Sequence, residues 1–156
     1  MLFLGHIGFT AFVASLFYLP ALPGILGVML PDIVDKGFFL LGYSPCSRFL
    51  AHTIFFAPLV GLVTFLITRN KKIAFVVGLG AFLHLLEDLH DPVPFLYPLK
   101  DYAFLHTCGG IRIPFNYYII TTEIIGGALT IFVFGFNKKF LEFRRSVLNF
   151  FGLVKR

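Results

Sequence analysis

Three apolar runs, at residues 51–68, 73–89 and 117–136, dominate the chain. Each comes close to the ~20 residues that a helix needs to cross the hydrocarbon core of a bilayer. Hydrophobic residues make up 58% of the 156 positions, Phe alone accounts for 22, and only 13% are charged. A soluble domain carries nearer 25% charge, so an integral membrane protein is expected. At this length it should form a single domain over residues 1–156, with no room for a separate soluble module. The expected fold is all-α: a polytopic bundle of about four to five membrane helices closed by an amphipathic C-terminal helix.

The net charge of +5 does not point to nucleic acid, because the cations are not spread over a face. They gather in a short loop (Arg69, Lys71, Lys72) and in the tail (Lys138, Lys139, Arg144, Arg145, Lys155, Arg156), the pattern of cytoplasmic flanks. With that loop and the C-terminus in the cytoplasm, 51–68 runs inward, 73–89 outward and 117–136 inward again. Segments 31–50 and 90–116 then share the outer side. With the adjoining helix ends they carry Asp32, Asp35, Glu87, Asp88, Asp91 and Asp101, leaving only two of the eight acids elsewhere.

No Lys or Arg precedes Lys36, so the basic start of a signal peptide is missing and residues 1–19 are expected to remain in the mature protein. Two readings of the N-terminus are open. Residues 2–19 could span alone, which leaves Leu22 to Leu30 as an apolar loop without a purpose. Alternatively, an arm from His6 to Tyr18 reverses at Pro20–Gly24, and a second arm rises to Pro31-Asp32. Proline suits both boundaries. Arms of ~13 and ~8 residues climb about 20 and 12 Å, bringing His6 and Asp32 to one level. We favour the hairpin.

In the tail, Phe136, Phe140, Phe143, Val147 and Val154 recur at helical spacing among Lys and Arg. This is either an amphipathic helix in the interface or a last helix packed on the bundle. Cys46 and Cys108 form no C-x-x-C pair and are read as small hydrophobes, a bridge between them requiring an oxidising compartment. No repeat, Gly-rich phosphate loop or G-x-S-x-G elbow is visible.

An ionisable group in hydrocarbon is costly and marks a candidate functional site. His6, Asp32, Asp35, His52, His84 and Asp88 form such a trail. A lone histidine is more often a hydrogen-bonded packing residue, and an imidazole near a carboxylate can be a plain ion pair. His84 and Asp88, however, stand one helical turn apart on one face, beside Glu87, His90 and Asp91. So many acids in an apolar bundle need compensation. A divalent cation supplies it: imidazole with carboxylate suits Zn²⁺, with Mn²⁺ or Fe²⁺ as alternatives. His90 and His106 are loop candidates for a further metal. Arg48, one turn before His52, is placed for an anionic substrate group or for snorkelling to lipid headgroups. Glu123 lies about 9 Å into its helix, either buried and neutral or serving the site as a ligand or as the holder of a ligand histidine.

The motifs resemble those of the membrane-bound metal-dependent hydrolases of the LexA-regulated, YdjM type. That family shows Gly-His near the N-terminus, L-P-D-x-D, H-R-x-x-T-H-S, then S-H-x-x-x-D and a P-x-x-x-P-like stretch. This chain carries Gly5-His6, Leu30-Pro31-Asp32-Ile33-Val34-Asp35, Ser47-Arg48-Phe49-Leu50-Ala51-His52-Thr53, Leu83-His84-Leu85-Leu86-Glu87-Asp88 and Pro94-Phe95-Leu96-Tyr97-Pro98 in the same order over 5–98. Ser47 replaces a histidine, Ala51 a small hydroxyl residue, and the loop after Asp88 is short. More loosely, the order of ligand types is similar to that in zinc-dependent bacterial phospholipases C.

These resemblances imply a metal-dependent hydrolase with His6, Asp32, His52, His84 and Asp88 as ligands and a phosphoester or lipid-borne substrate. The family also tends to carry an acid early in the helix of Glu123, which adds Glu123 to the ligand candidates. Asp35 and Glu87 are read as general base or orienting carboxylates, and Arg48 as the substrate-anion group. The partners expected are membrane lipids, with the site on the extracytoplasmic side and no nucleic acid. The competing classes are a metal ion transporter and a non-catalytic metal-binding membrane protein. Transport would favour ligands at the midplane and matching halves, whereas here the polar residues crowd one side.

Overall fold

The computed structural model describes residues 2–108 and 116–150, without the side chains of 137–139, 149 and 150. Among the described residues every regular element is helical. They are α1 (Phe3–Leu16), α2 (Ala21–Leu40), α3 (Phe56–Thr68), α4 (Lys71–Glu87), α5 (Tyr117–Thr130) and α6 (Asn137–Phe150). Short 3₁₀ turns occupy Leu50–His52 and Ala103–His106, and a π-helical turn, Ile131–Gly135, prolongs α5.

The boundaries follow from local chemistry. The Asn70 side chain accepts from the amides of Lys72 and Ile73 and starts α4, and Asn116 does the same for α5 through Ile119. Arg69 closes α3 in the left-handed region, at φ 54°. The run 51–68 becomes helical only at Phe56, because Pro58 fits the first turn, where its missing N–H costs nothing. His52 is thereby left in the tight turn ahead of α3.

The N-terminal hairpin is present, with two corrections to its expected limits. The reversal falls at Phe17–Pro20, with Tyr18 at φ 58°, so Pro23 and Gly24 already lie in the first turn of α2. The second arm does not end at Pro31: α2 runs through it to Leu40, placing Asp32 and Asp35 inside a helix. An interior proline costs about 3 kcal/mol. The contacts of Asp32, Asp35 and Lys36 beyond it, and the packing of α2 on α4, offset that cost.

α3 packs on α4, α4 on α2, α2 on α1 and α1 on α5. Two crossings bring backbone onto backbone. A Cβ at Gly80 would stand 2.2 Å from Gly24 O, one at Gly27 2.1 Å from Val77 O, and one at Gly126 2.2 Å from Leu4 O. Small residues at helix contacts are the means by which membrane helices approach closely. Of the two readings of the tail, α6 takes the packed one. Phe140 is buried, and it and Phe143 meet Phe12 and Phe132 in a ring cluster, while Arg144 donates to Ser15 O.

Among the described residues one helix, Tyr117–Gly135, is long and apolar enough to cross a membrane, and α1 and α3 are apolar but shorter. Large apolar side chains are exposed along much of the surface, among them Leu22, Leu26 and Ile33 of α2, Leu59, Leu62, Leu66 and Ile67 of α3, and Ile124 of α5. The basic turn 69–72 lies at the start of α4, and the polar residues gather beyond its other end.

Candidate metal centre

Four elements converge at the C-terminal end of α4. α1 brings His6 in its first turn, α2 brings Asp32 and Asp35, the 3₁₀ turn brings His52, and α4 brings His84, followed by Asp88. His6, His52, His84, Asp35 and Asp88 are each at most 1% exposed, and Asp32 is 5% exposed.

Two carboxylates set the histidine rings. A carboxylate only accepts, so His52 Nδ1 donates to Asp35 Oδ2 at 2.7 Å and His6 Nδ1 donates to Glu87 Oε2 at 2.6 Å. With Nδ1 so engaged, Nε2 of each ring faces the other members of the cluster. Asp35 also gathers the amides of Phe49, Ala51 and His52, so it builds the turn as well as orienting its histidine. Both its oxygens are engaged and it is wholly buried, an arrangement that suits the orienting carboxylate of the two roles read from the sequence. Glu87 orients His6 in the same way.

The inward atoms form a compact set. His52 Nε2 lies 3.1 Å from His84 Nε2, 3.6 Å from Asp32 Oδ1 and 4.0 Å from Asp88 Oδ2. His84 Nε2 lies 3.9 Å from Asp32 Oδ1 and 3.8 Å from Asp88 Oδ2. An ion with four ligands at 2.0–2.1 Å in a tetrahedron has ligand separations of about 3.3–3.4 Å. His6 adds a second grouping with Asp32 and His84. Its ring stacks on that of His84 with centroids 4.2 Å apart, and its Nε2 is 3.5 Å from Asp88 Oδ1. The buried atoms His6 Nε2 and Asp32 Oδ1 have no hydrogen-bond partner. Buried polar atoms are seldom left so.

Two cations touch these acids. Lys36 Nζ sits 2.5 Å from Asp32 Oδ2, and Arg48 Nη2 lies 3.1 Å from Asp88 Oδ2 and 2.9 Å from Asp91 Oδ2. Sequence reasoning passed over Lys36; its i,i+4 spacing from Asp32 was the available signal.

Glu123 is placed elsewhere, and this corrects its expected service to the metal. Its oxygens accept from the amides of Leu2, Leu4 and Gly5 at 2.9–3.0 Å. α1 begins after Leu2, which has no side chain to cap it, so α5 supplies the cap in its place. His90 lies tilted against the Tyr118 ring, and His106 pairs at the surface with Asp101, whose carboxyl it holds below the usual range. Neither joins the cluster. Cys46 and Cys108 are joined by a disulfide, Cα to Cα 5.6 Å, rather than being simple packing residues. It ties the segment before Arg48 to the segment after α4, which also meet through Ile54 N to Phe95 O and through Phe49 against Tyr97.

No family model matches the chain, and neither curated proteins nor solved structures give a significant match.

Proposed function

We propose that this protein is a polytopic membrane hydrolase that uses a divalent metal ion held by Asp32, His52, His84 and Asp88. The observation that carries the reading is five separations of 3.1–4.0 Å that link the two buried imidazoles to each other and to both carboxylates. His52, one of the four, has its outer nitrogen fixed by a carboxylate, as ligand histidines usually do. Zn²⁺ fits the donor set, and Mn²⁺ or Fe²⁺ would be accepted by the same atoms. Such an ion supplies Lewis acidity and ionises water near neutral pH.

His6 Nε2, with Asp88 Oδ1, is available to a second ion beside the first. Rings stacked at 4.2 Å suit the ~3.5–4 Å spacing of two-metal sites. Counted formally, five carboxylates (Asp32, Asp35, Glu87, Asp88, Asp91) face two cations (Lys36, Arg48), leaving three formal negative charges. One divalent ion removes two of them, and a second reverses the sign in favour of an anionic substrate.

The exposed apolar flanks support four to five membrane helices, of which, among the described residues, only Tyr117–Gly135 is by itself both long and apolar enough. The disulfide near the centre suits an oxidising compartment. The basic turn 69–72 at the far end of α4 suits the cytoplasm. Both support an extracytoplasmic site in the cell membrane. The looser resemblance to zinc-dependent phospholipases C supports a phosphoester or lipid-borne substrate. Metal analysis of the purified protein is the test, joined to hydrolysis of a generic aryl phosphodiester with and without chelator. A protein free of Zn, Mn and Fe would overturn the reading. Bound metal without hydrolysis would favour a transporter or a metal-binding structural role.

A further inference from the structure

Lys36 and Arg48 are the cations in contact with the centre, and they are also its partly exposed members, at 32% and 28% against at most 7% for the side chains of Asp32, His52, His84 and Asp88. Lys36 grips the outer oxygen of one candidate ligand carboxylate, and Arg48 shares Asp88 Oδ2 of the other with His52 and His84. Lys36 takes Asp32 Oδ2 and leaves Oδ1 facing the histidines. Arg48 takes Asp88 and Asp91 through Nη2, while its Nε is buried without a hydrogen-bond partner. An ion bound by Asp32 and Asp88 draws on the same carboxylate charge that now holds the two cations. Both cations then become available to an anion approaching the ion from solvent.

We propose that Lys36 and Arg48 form a two-cation clamp for a phosphoryl oxyanion at the mouth of the metal centre. Lys36 is the substrate-binding group that the sequence does not announce. The inference rests on the metal reading above and names the ligand chemistry of the same site. An apolar cleft of about 470 Å³ opens along Val34, Phe38, Leu50, Phe56, Leu59 and Tyr97, next to the turn that carries His52. A phosphoryl group on a lipid would place its chain there, whereas free phosphate would not use the cleft.

The test is phosphorus-31 relaxation with Mn²⁺-loaded protein in a phosphorus-free maltoside detergent, with inorganic phosphate in one arm and dihexanoyl-phosphatidylglycerol in the other. Saturable relaxation enhancement is expected in both, tighter for the lipid. Lys36→Gln and Arg48→Gln should each weaken it about tenfold or more, the scale of a lost charge-assisted hydrogen bond, with Mn²⁺ content unchanged. Lys36→Arg should recover most of the affinity. If only phosphate binds, the lipid source is excluded and the clamp stands. Unchanged phosphate affinity in Lys36→Gln, or loss of Mn²⁺ from it, overturns the clamp, because Lys36 then serves Asp32 alone. Wild-type protein that binds Mn²⁺ but relaxes neither probe overturns the clamp and leaves the metal reading intact. Wild-type protein that holds no metal ends both.

Discussion

Asp35 and His52 are joined twice: the carboxylate accepts from the ring at Nδ1, 2.7 Å away, and from the same residue's backbone amide, 3.2 Å away. A residue on α2 thus fixes both the position and the rotation of a histidine in a separate turn. Replacing Asp35 by Asn puts an NH₂ group where N–H donors converge. Metal affinity should fall about 10- to 100-fold, as for other carboxylates that hold ligand histidines. Competition with a chromophoric chelator measures this, and an unchanged affinity would leave Asp35 with the turn alone.

Asp88→Asn keeps the size of the side chain and removes its charge. Helical content should persist by circular dichroism, while bound metal in the purified protein falls well below wild type, because ligation needs the carboxylate. Full metal content in this variant would make His84 and Asp88 a structural pair and remove the main physical support for the hydrolase.

Glu123→Gln should separate capping from ligation. The loss of charge-assisted bonds to three amides at the start of α1 costs about 2 kcal/mol. The thermal transition should drop while metal per folded chain stays at the wild-type value. Selective metal loss without destabilisation would return Glu123 to the ligand set.

Orientation is open to labelling in intact cells. A cysteine at Lys71 should resist a membrane-impermeant maleimide, and one at Lys100, on the segment that reaches the centre, should react. The native pair should not interfere, since Cys46 and Cys108 are bonded to each other. Reaction at Lys71 from outside would invert the proposed topology.

Neighbouring glycines should respond in opposite ways. Gly126→Ala forces a methyl to within 2.2 Å of Leu4 O, whereas the same change at Gly127 meets only Leu4 Cδ1 at 3.9 Å. The first should cost about 1–3 kcal/mol and disturb metal binding through α1. The second should be silent in both thermal unfolding and metal content.

Much of this centre was legible because its residues are chemically out of place. Histidines and acids in apolar sequence stand out singly, and the spacing of His84 and Asp88 put two on one face. The proline and glycine of the first hairpin made His6 and Asp32 neighbours. What stayed hidden depends on tertiary structure. Pro31 reads as a helix end, and only packing and contacts farther along carry α2 through it. Glu123 looks like a ligand because nothing local reveals that Leu2 leaves α1 without a cap. Lys36 looks like a lone charge beside an acid. The disulfide joins cysteines whose approach depends on how two loops fold over the centre.

The glycine crossings have a consequence for how the centre keeps its dimensions. Where Gly80 meets Gly24 and Gly8 meets Gly126, main chain abuts main chain, with no rotamer between them to adjust. The helices bearing Asp32 and His84 therefore close onto a fixed stop. Their spacing should be insensitive to which apolar residues line the rest of the bundle or which acyl chains surround it. The outer surface is then free to vary with the bilayer while the gauge of the ligand cage is held constant.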